Sequence, residues 1–178
     1  MLKPAIEYKE ELQQKIKEAL EQDEIAFSYY NPTYIFENIK NGIAVEKNTM
    51  HKHQFVSVFK GEVIGYITYN ISLFEFRAYN FKCINFTNNT LIFGKDLKQT
   101  WEQIFNMYKL RKLTLGVFDG NPFQKSCDRI VEICGGRTVG VYKEHLKLAD
   151  GKYHDLKLYE VLRKDFIKAT GGKKSNAI

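Results

Sequence analysis

Two groups of residues in this sequence have types and spacing that could do chemistry. The segment Thr87-Asn88-Asn89-Thr90-Leu91-Ile92-Phe93-Gly94 runs from an apolar stretch into an amphipathic one that opens with Lys95. A helix N-terminus carries unpaired N–H groups and a partial positive charge, which suit a pyrophosphate; Gly94 would let the backbone come close and Lys95 would add charge. The second group carries protons. Glu75 stands at the start of a strand-like stretch, and a carboxylate whose pKa burial raises could act as a base. Tyr142, His145, Tyr153 and His154 fall near the end of the chain, with side chains able to contact a ligand or donate a proton. His51 and His53 would face one way on an extended chain, as metal ligands do, but no third ligand accompanies them and no metal is expected. Cys83, Cys127 and Cys134 are odd in number and lack zinc spacing, so they read as small buried hydrophobes in a reducing compartment.

The elements that must position these groups follow from hydrophobic period and turn chemistry. Pro4 to Glu21 reads as a helix with an apolar stripe of Ile6, Leu12, Ile16, Ala19 and Leu20. Ile25 to Tyr30 is an aromatic run of open type, and Pro32 to Ile39 reads as a second short helix, ended by Asn41-Gly42. From Gln54 the period becomes two: 54–59 and 62–70 are strands joined across Lys60-Gly61, and 74–86 is a further, bent strand. Leu97, Trp101, Ile104, Phe105 and Tyr108 mark a helix over 95–108, followed by a strand over 112–118. Asn121 as cap, Pro122 in the first turn and Gly135-Gly136 as stop bracket a helix that buries Cys127, Ile130, Val131 and Cys134. Strands over 137–148 and 152–162 close the chain around Asp150-Gly151. The strand–helix–strand unit 81–118 requires a parallel crossover among antiparallel neighbours. The expected fold is therefore α/β: a mixed, mostly antiparallel sheet of about six or seven strands flanked by helices.

The chain has 178 residues, 44% hydrophobic and 27% charged, enough for one domain over residues 1–170 with a fraying polar tail over 171–178. Its net charge of +6 is spread along the chain rather than gathered in the basic stripe of a nucleic-acid binder. The start lacks a signal-peptide pattern, and no stretch approaches the ~20 apolar residues of a membrane helix. A cytoplasmic protein without membrane contact is expected.

At this point the sequence resembles the GNAT superfamily of N-acetyltransferases over roughly 54–166. The resemblance rests on the hairpin Phe55-Val-Ser-Val-Phe-Lys-Gly-Glu-Val-Ile-Gly-Tyr-Ile, on Ile84-Asn-Phe, on Gly94-Lys-Asp-Leu and its helix, on Arg129-Ile-Val-Glu-Ile-Cys-Gly-Gly-Arg137, and on the closing hairpin Asp150-Gly-Lys-Tyr-His-Asp-Leu-Lys-Leu-Tyr159. It implies acetyl-CoA as co-substrate and direct attack by an acceptor amine on the thioester. It implies a pantetheine arm along the strand that holds Ile84, Asn85 and Phe86, and a pyrophosphate on the amides of Leu91, Ile92, Phe93, Gly94 and Lys95. Asn121 and Ser126 stand near the family's late-helix Asn and Ser, whose register falls on Gln124 and Cys127. Ile92 replaces the loop's first glycine, so the loop must differ in conformation or have lost grip on phosphate. Val131 occupies the place of the Tyr that many relatives use as thiolate acid. Asp155 matches an acidic position read as structural. Tyr29, Tyr30, Tyr34 and Phe36 could line the acceptor wall. The acceptor stays open among a small amine, a peptide N-terminus and a protein lysine, as does the oligomeric state, a homodimer included. Two other readings remain: a domain of this kind that binds acyl-CoA or a partner without catalysis, and a nucleic-acid-associated protein.

Overall fold

The computed structural model describes residues 1–30, 43–87 and 89–171. The expected short helix over 32–39, with Tyr34 and Phe36, lies outside them, as do Asn88 and residues 172–178 of the expected tail. Among the described residues, seven strands form one mixed sheet: β1 (Leu2–Pro4), β2 (Lys52–Phe59), β3 (Glu62–Ser72), β4 (Arg77–Asn85), β5 (Lys112–Phe118), β6 (Arg137–Lys147) and β7 (Tyr153–Leu162). Their order is β1-β2-β3-β4-β5-β7-β6, with every pair antiparallel except β4–β5. The helices are α1 (Lys9–Gln22), α2 (Glu24–Ser28), α3 (Thr90–Glu102), α4 (Gln124–Ile133) and α5 (Arg163–Ala169). No helix among the described residues is long and apolar enough to cross a membrane.

The turns that sequence chemistry marks are where they were expected. Lys60 and Gly61 both take positive φ, 52° and 88°, the pair of angles a tight hairpin demands. Gly135, at φ 73°, ends α4: its N–H and that of Gly136 donate back to the Glu132 and Val131 carbonyls. Neither glycine tolerates a side chain. A Cβ on Gly135 would lie 2.7 Å from the Asp165 carbonyl oxygen, and one on Gly136 2.6 Å from Val161.

Several boundaries differ from expectation. The helix expected from an Asn121 cap and Pro122 starts only at Gln124, with Phe123 at its N-cap position and no side-chain cap, so Asn121 and Pro122 stand in the turn before it. Residues 2–4 pair with β2 as an edge strand, and a 3₁₀ turn over 5–8 precedes α1, so the first helix begins at Lys9. Phe74 to Phe76 form a turn, with Phe74 96% exposed, and the strand after them starts only at Arg77. The helix expected from Lys95 starts at Thr90, because the Asn89 side chain accepts the Ile92 N–H and caps it there. At its far end α3 loosens into a π-helical turn over 103–107, and the Phe105 carbonyl accepts a hydrogen bond from Arg163 Nε at 2.7 Å.

The sheet buries both faces of its first half. On one side Phe55, Ile67, Tyr69 and Phe81 meet Phe93, Leu97 and Trp101 of α3 and Phe105 of the π-helical turn after it, with Cys127 and Val131 of α4 and Phe166 of α5 extending this core under β5 and β7. On the other, Val56, Val58, Tyr66 and Ile84 meet Leu12 and Ile16 of α1. Gly65 is where α3 comes down onto the sheet. A Cβ there would collide with the Phe93 ring and stand 2.9 Å from the Ile84 carbonyl oxygen, so neither neighbour can give way without moving the other. Gly65→Ala is therefore expected to cost about 1–3 kcal/mol, read as a Tm lowered by about 2–4 °C per kcal/mol. Gly140→Ala, which meets nothing within 4 Å, should stay within about 0.5 kcal/mol of the parent.

Candidate active site

The parallel strands β4 and β5 are paired at only two positions, Arg77↔Lys112 and Ala78↔Leu113. Beyond these they separate. The outer edge of β4 stays on β3 as far as Asn85, and the outer edge of β5 stays on β7 as far as Phe118. Their facing inner edges, over 79–85 and 114–118, are left without a ladder between them. A bulge starts the divergence: Asn80 takes φ 51°, and the β3–β4 register slips between Thr68 and Asn70. Into the gap opens a cavity of about 680 Å³. Tyr79, Phe81, Lys82 and Cys83 line it from β4, and Thr114 to Phe118 from β5; Leu97 and Trp101 of α3, Cys127 and Ile130 of α4, and Tyr142 and His145 of β6 complete much of the wall. Edge N–H and C=O groups that face such a space can hydrogen-bond an extended ligand as an added strand would.

The sequence-derived candidates scatter around this cleft. Cys83 lines it, while Ile84, next along β4, turns the other way into the α1 core. Asn85 spends its side-chain oxygen on the Thr87 N–H, and the Phe86 N–H donates to Ile64. Leu91, Gly94 and Lys95 are exposed on α3, and Phe93 is buried against the sheet. Since α3 begins at Thr90, Gly94 and Lys95 lie in its second turn. The N–H groups at the helix start belong to Thr90 and Leu91, the Ile92 N–H being taken by Asn89. No described residue between Thr87 and Lys95 has positive φ, so Ile92 sits without strain in a helical turn where the family's usual pattern has a glycine loop.

Asn121 is buried at the mouth of the cleft, beyond β5, and its side chain accepts the Phe123 N–H at 2.8 Å, so it braces the turn into α4. Ser126 is exposed on α4 and does not line the cavity; Val131 is core. Glu75 sits in the β3–β4 turn, at the closed end of the parallel pair. Its hydrogen bond with Arg77, at 2.7 Å, holds its carboxyl below the usual carboxylate range, the opposite of what a base needs. Tyr142 does line the cavity, half exposed, with its ring 5.4 Å from that of His145. Tyr29 and Tyr30 line it from the end of α2; burial, with Asp150, Asp119 and Asp23 behind it, raises Tyr29, and burial raises Tyr30. Burial pushes the thiols of Cys83 and Cys127 up to about 12.

Of the histidines, His53 is buried between Tyr69 and Tyr108, where desolvation lowers its pKa, and His51 is exposed. Asp155 accepts the Glu144 N–H and the Lys143 ammonium, a structural use. Reading by residue type missed Asn80, whose place inside an apolar strand was the available sign of a bulge, and Gly116, which gives room to Leu156 on the cleft wall.

His154 stands outside the cleft and locks its rim. Its Nδ1 lies 3.1 Å from the Asp119 carbonyl oxygen and its Nε2 3.0 Å from an Asp150 carboxylate oxygen. Both nitrogens face acceptors, which only the imidazolium satisfies at once. Burial pulls its pKa down, but the bonds and charges of Asp150 and Asp119 outweigh burial and raise it above the ordinary 6.5. A raised folded-state pKa gives stability that is complete below 6.5 and fades as pH climbs through the raised value. Urea unfolding should thus find His154→Gln further below the parent at about pH 5.5 than at about pH 9; an equal gap at both would contradict it.

No family model matches the chain, and no curated protein matches it. Among solved structures it is similar to a chimera of the spermidine N-acetyltransferase SpeG from Vibrio cholerae with hSSAT, at 20% identity over 88% of this chain and 90% of that one, TM-score 0.61. It is also similar to the spermidine/spermine N-acetyltransferase SpeG from Vibrio cholerae in complex with manganese ions, at 19% identity over 80% and 78%, TM-score 0.57. A third is the ribosomal-protein-S5-alanine acetyltransferase from Vibrio fischeri, at 18% identity over 65% and 63%, TM-score 0.55, so the chain spans under two thirds of that enzyme. The fold is that of GNAT acyltransferases, as the resemblance in the sequence implied.

Proposed function

We propose that this chain is an acetyl-CoA-dependent N-acetyltransferase that moves an acetyl group directly to an amine. The observation that carries the reading is the pair of unladdered edges on β4 and β5, opening onto an apolar cavity of about 680 Å³. Such edges offer hydrogen-bond partners to an amide-bearing, extended arm, and the apolar lining offers contacts to its methylene groups. Bound, acetyl-CoA would supply the acetyl group as a thioester. The edge of β4 from Tyr79 to Asn85 would hold the arm, and the Thr90 and Leu91 N–H groups at the start of α3 would meet the pyrophosphate, with Lys95 one turn on. Tyr142 would donate a proton to the departing sulfur, and Tyr29 and Tyr30 would face the acceptor. The three free cysteines suit a cytoplasmic enzyme.

Acetyl-CoA at a hundredfold excess over its Kd should stabilise the protein by about 2.7 kcal/mol, seen as a rise in Tm; no rise at millimolar acetyl-CoA would sink the reading. Leu91→Glu places a carboxylate against the pyrophosphate while favouring the helix start. It should leave the Tm of the free protein unchanged or slightly higher and weaken acetyl-CoA about tenfold or more. Transfer would be assayed with spermidine and with a peptide beginning with alanine, the acceptor types named for the similar structures. Buried Val131, at the position where relatives carry a proton-donating Tyr, favours a second reading, an acyl-CoA-binding domain without catalysis. A Tm shift without transfer to any amine would select it.

A further inference from the structure

Among the described residues, the cavity wall contains one histidine and no aspartate or glutamate side chain. Histidine is the side chain whose ordinary titration falls in the physiological range. Resting on the N-acetyltransferase reading, we propose that His145 is the base that takes a proton from the acceptor amine, and that a bulge propped by Asp155 turns its imidazole into the cleft.

The bulge is what makes the geometry. Residues three apart on a regular strand point to opposite faces, yet Tyr142 and His145 both line the cavity, with ring centroids 5.4 Å apart. They share a face because Tyr142 pairs with Leu156 and Leu146 with His154, which leaves Lys143, Glu144 and His145 opposite Asp155 alone. Glu144 takes φ 46°, a conformation that costs a side-chain-bearing residue free energy and persists only where surroundings impose it. Asp155 imposes it. One carboxylate oxygen accepts the Glu144 N–H at 2.9 Å, and the other accepts the Lys143 ammonium at 2.6 Å. Phe118, on β5, lies 6.2 Å from the imidazole and backs it.

The other groups on the wall are unsuited to the task. Burial raises Cys83, Cys127, Tyr29, Tyr30 and Tyr159. His154, the other histidine of the hairpin, has both nitrogens engaged by Asp119 and Asp150. The titratable and charged groups beside His145 in the hairpin and across the cleft include Tyr142, Lys143 and Glu144 on β6, His154, Asp155 and Lys157 on β7, Asp119 after β5, Tyr29 and Tyr30 after α2, and Arg77, Tyr79 and Lys82 on β4. Lys143 is neutralised by Asp155, and Lys157 by Asp128.

The step balances. An acceptor ammonium passes one proton to the imidazole, and the freed lone pair forms the C–N bond to the acetyl carbonyl carbon. The C–S bond breaks and sulfur leaves with its electron pair. Sulfur takes a proton from the Tyr142 hydroxyl, which regains one from the new nitrogen. The imidazolium then releases its proton to water, so amide, thiol and one proton result.

The test compares the parent with His145→Gln, Asp155→Ala and Asp155→Asn, using acetyl-CoA with spermidine and the alanyl peptide. A Tm shift absent from parent and variants alike refutes the N-acetyltransferase reading and this role with it. With that shift present, His145→Gln should lower kcat about 10²–10⁴-fold, abolish the acid limb of its pH profile, and leave the KM for acetyl-CoA within about twofold. A loss under about threefold, or an acid limb that survives, overturns the proposal. Asp155→Ala should slow turnover and Asp155→Asn restore it, since an amide oxygen still accepts the Glu144 N–H; two equally slow variants overturn the positioning role. If neither probe is acetylated, the imidazole Cε1–H resonance missing from His145→Gln decides. Its movement on adding acetyl-CoA supports the proposal, and its constancy refutes it.

Discussion

A parallel strand pair that stops after two residues is the constraint on which the remainder of the molecule depends. Each backbone N–H and C=O left without a partner in a dry interior costs about 1–3 kcal/mol, so the edges of β4 and β5 beyond Ala78 and Leu113 must face water or a ligand. The chain meets that demand by keeping both strands ordered from their outer sides. β3 holds β4 through Asn85, and β7 holds β5 through Phe118. The gap is therefore stable open, and its polar edges are fixed in direction before anything enters.

Once the ladder is gone, side chains set the width of the gap. Phe81 packs edge-on to Trp101, at 6.1 Å between centroids, and Cys127 and Tyr159 approach from the β5 side in the same core. The far half of the sheet has a different adhesive. Its outermost strand, β6, is largely exposed, and it is held by its ladder with β7 and by ion pairs rather than by apolar burial. Glu160, nearly buried, joins Lys112 of β5 to Arg137 of β6 and is held below the ordinary carboxylate range by them. Asp128 of α4 accepts Lys157 and the buried Tyr159 hydroxyl. Removing Lys112 or Arg137 would leave Glu160, whose side chain is 10% exposed, with one cation instead of two.

Local chemistry made the turns and caps legible. Lys60-Gly61 and Gly135-Gly136 act over two to four residues and end their elements as expected, while Asn121 braces the turn before α4 instead of capping the helix. The start of α3 was misplaced for an equally local reason. Gly94 looked like the end of a loop, while Asn89, three residues before Ile92, was already the cap. Phe74 and Phe76 suggested a strand by composition, though the chain turns there and leaves both rings exposed. The edge strand β1 has three residues and no periodicity to read. The cleft was hidden for a deeper reason: pairing between strands is a long-range property, and the bulges at Asn80 and Glu144 each break the alternation from which faces are inferred.

The two bulges sit on opposite walls of one cavity, and each holds a non-glycine residue at positive φ, at 51° and 46°. Strain of this kind persists only where neighbouring contacts over-determine the backbone. At Asn80 the contacts are the β3 ladder on either side of the slip; at Glu144 they are the two oxygens of Asp155. Regular strands would have closed the β4 edge toward its partner and turned His145 away from Tyr142. The same irregularities that make the fold hard to read from residue types are what give the cleft its edges and its imidazole, so stability and candidate chemistry meet at the same few residues.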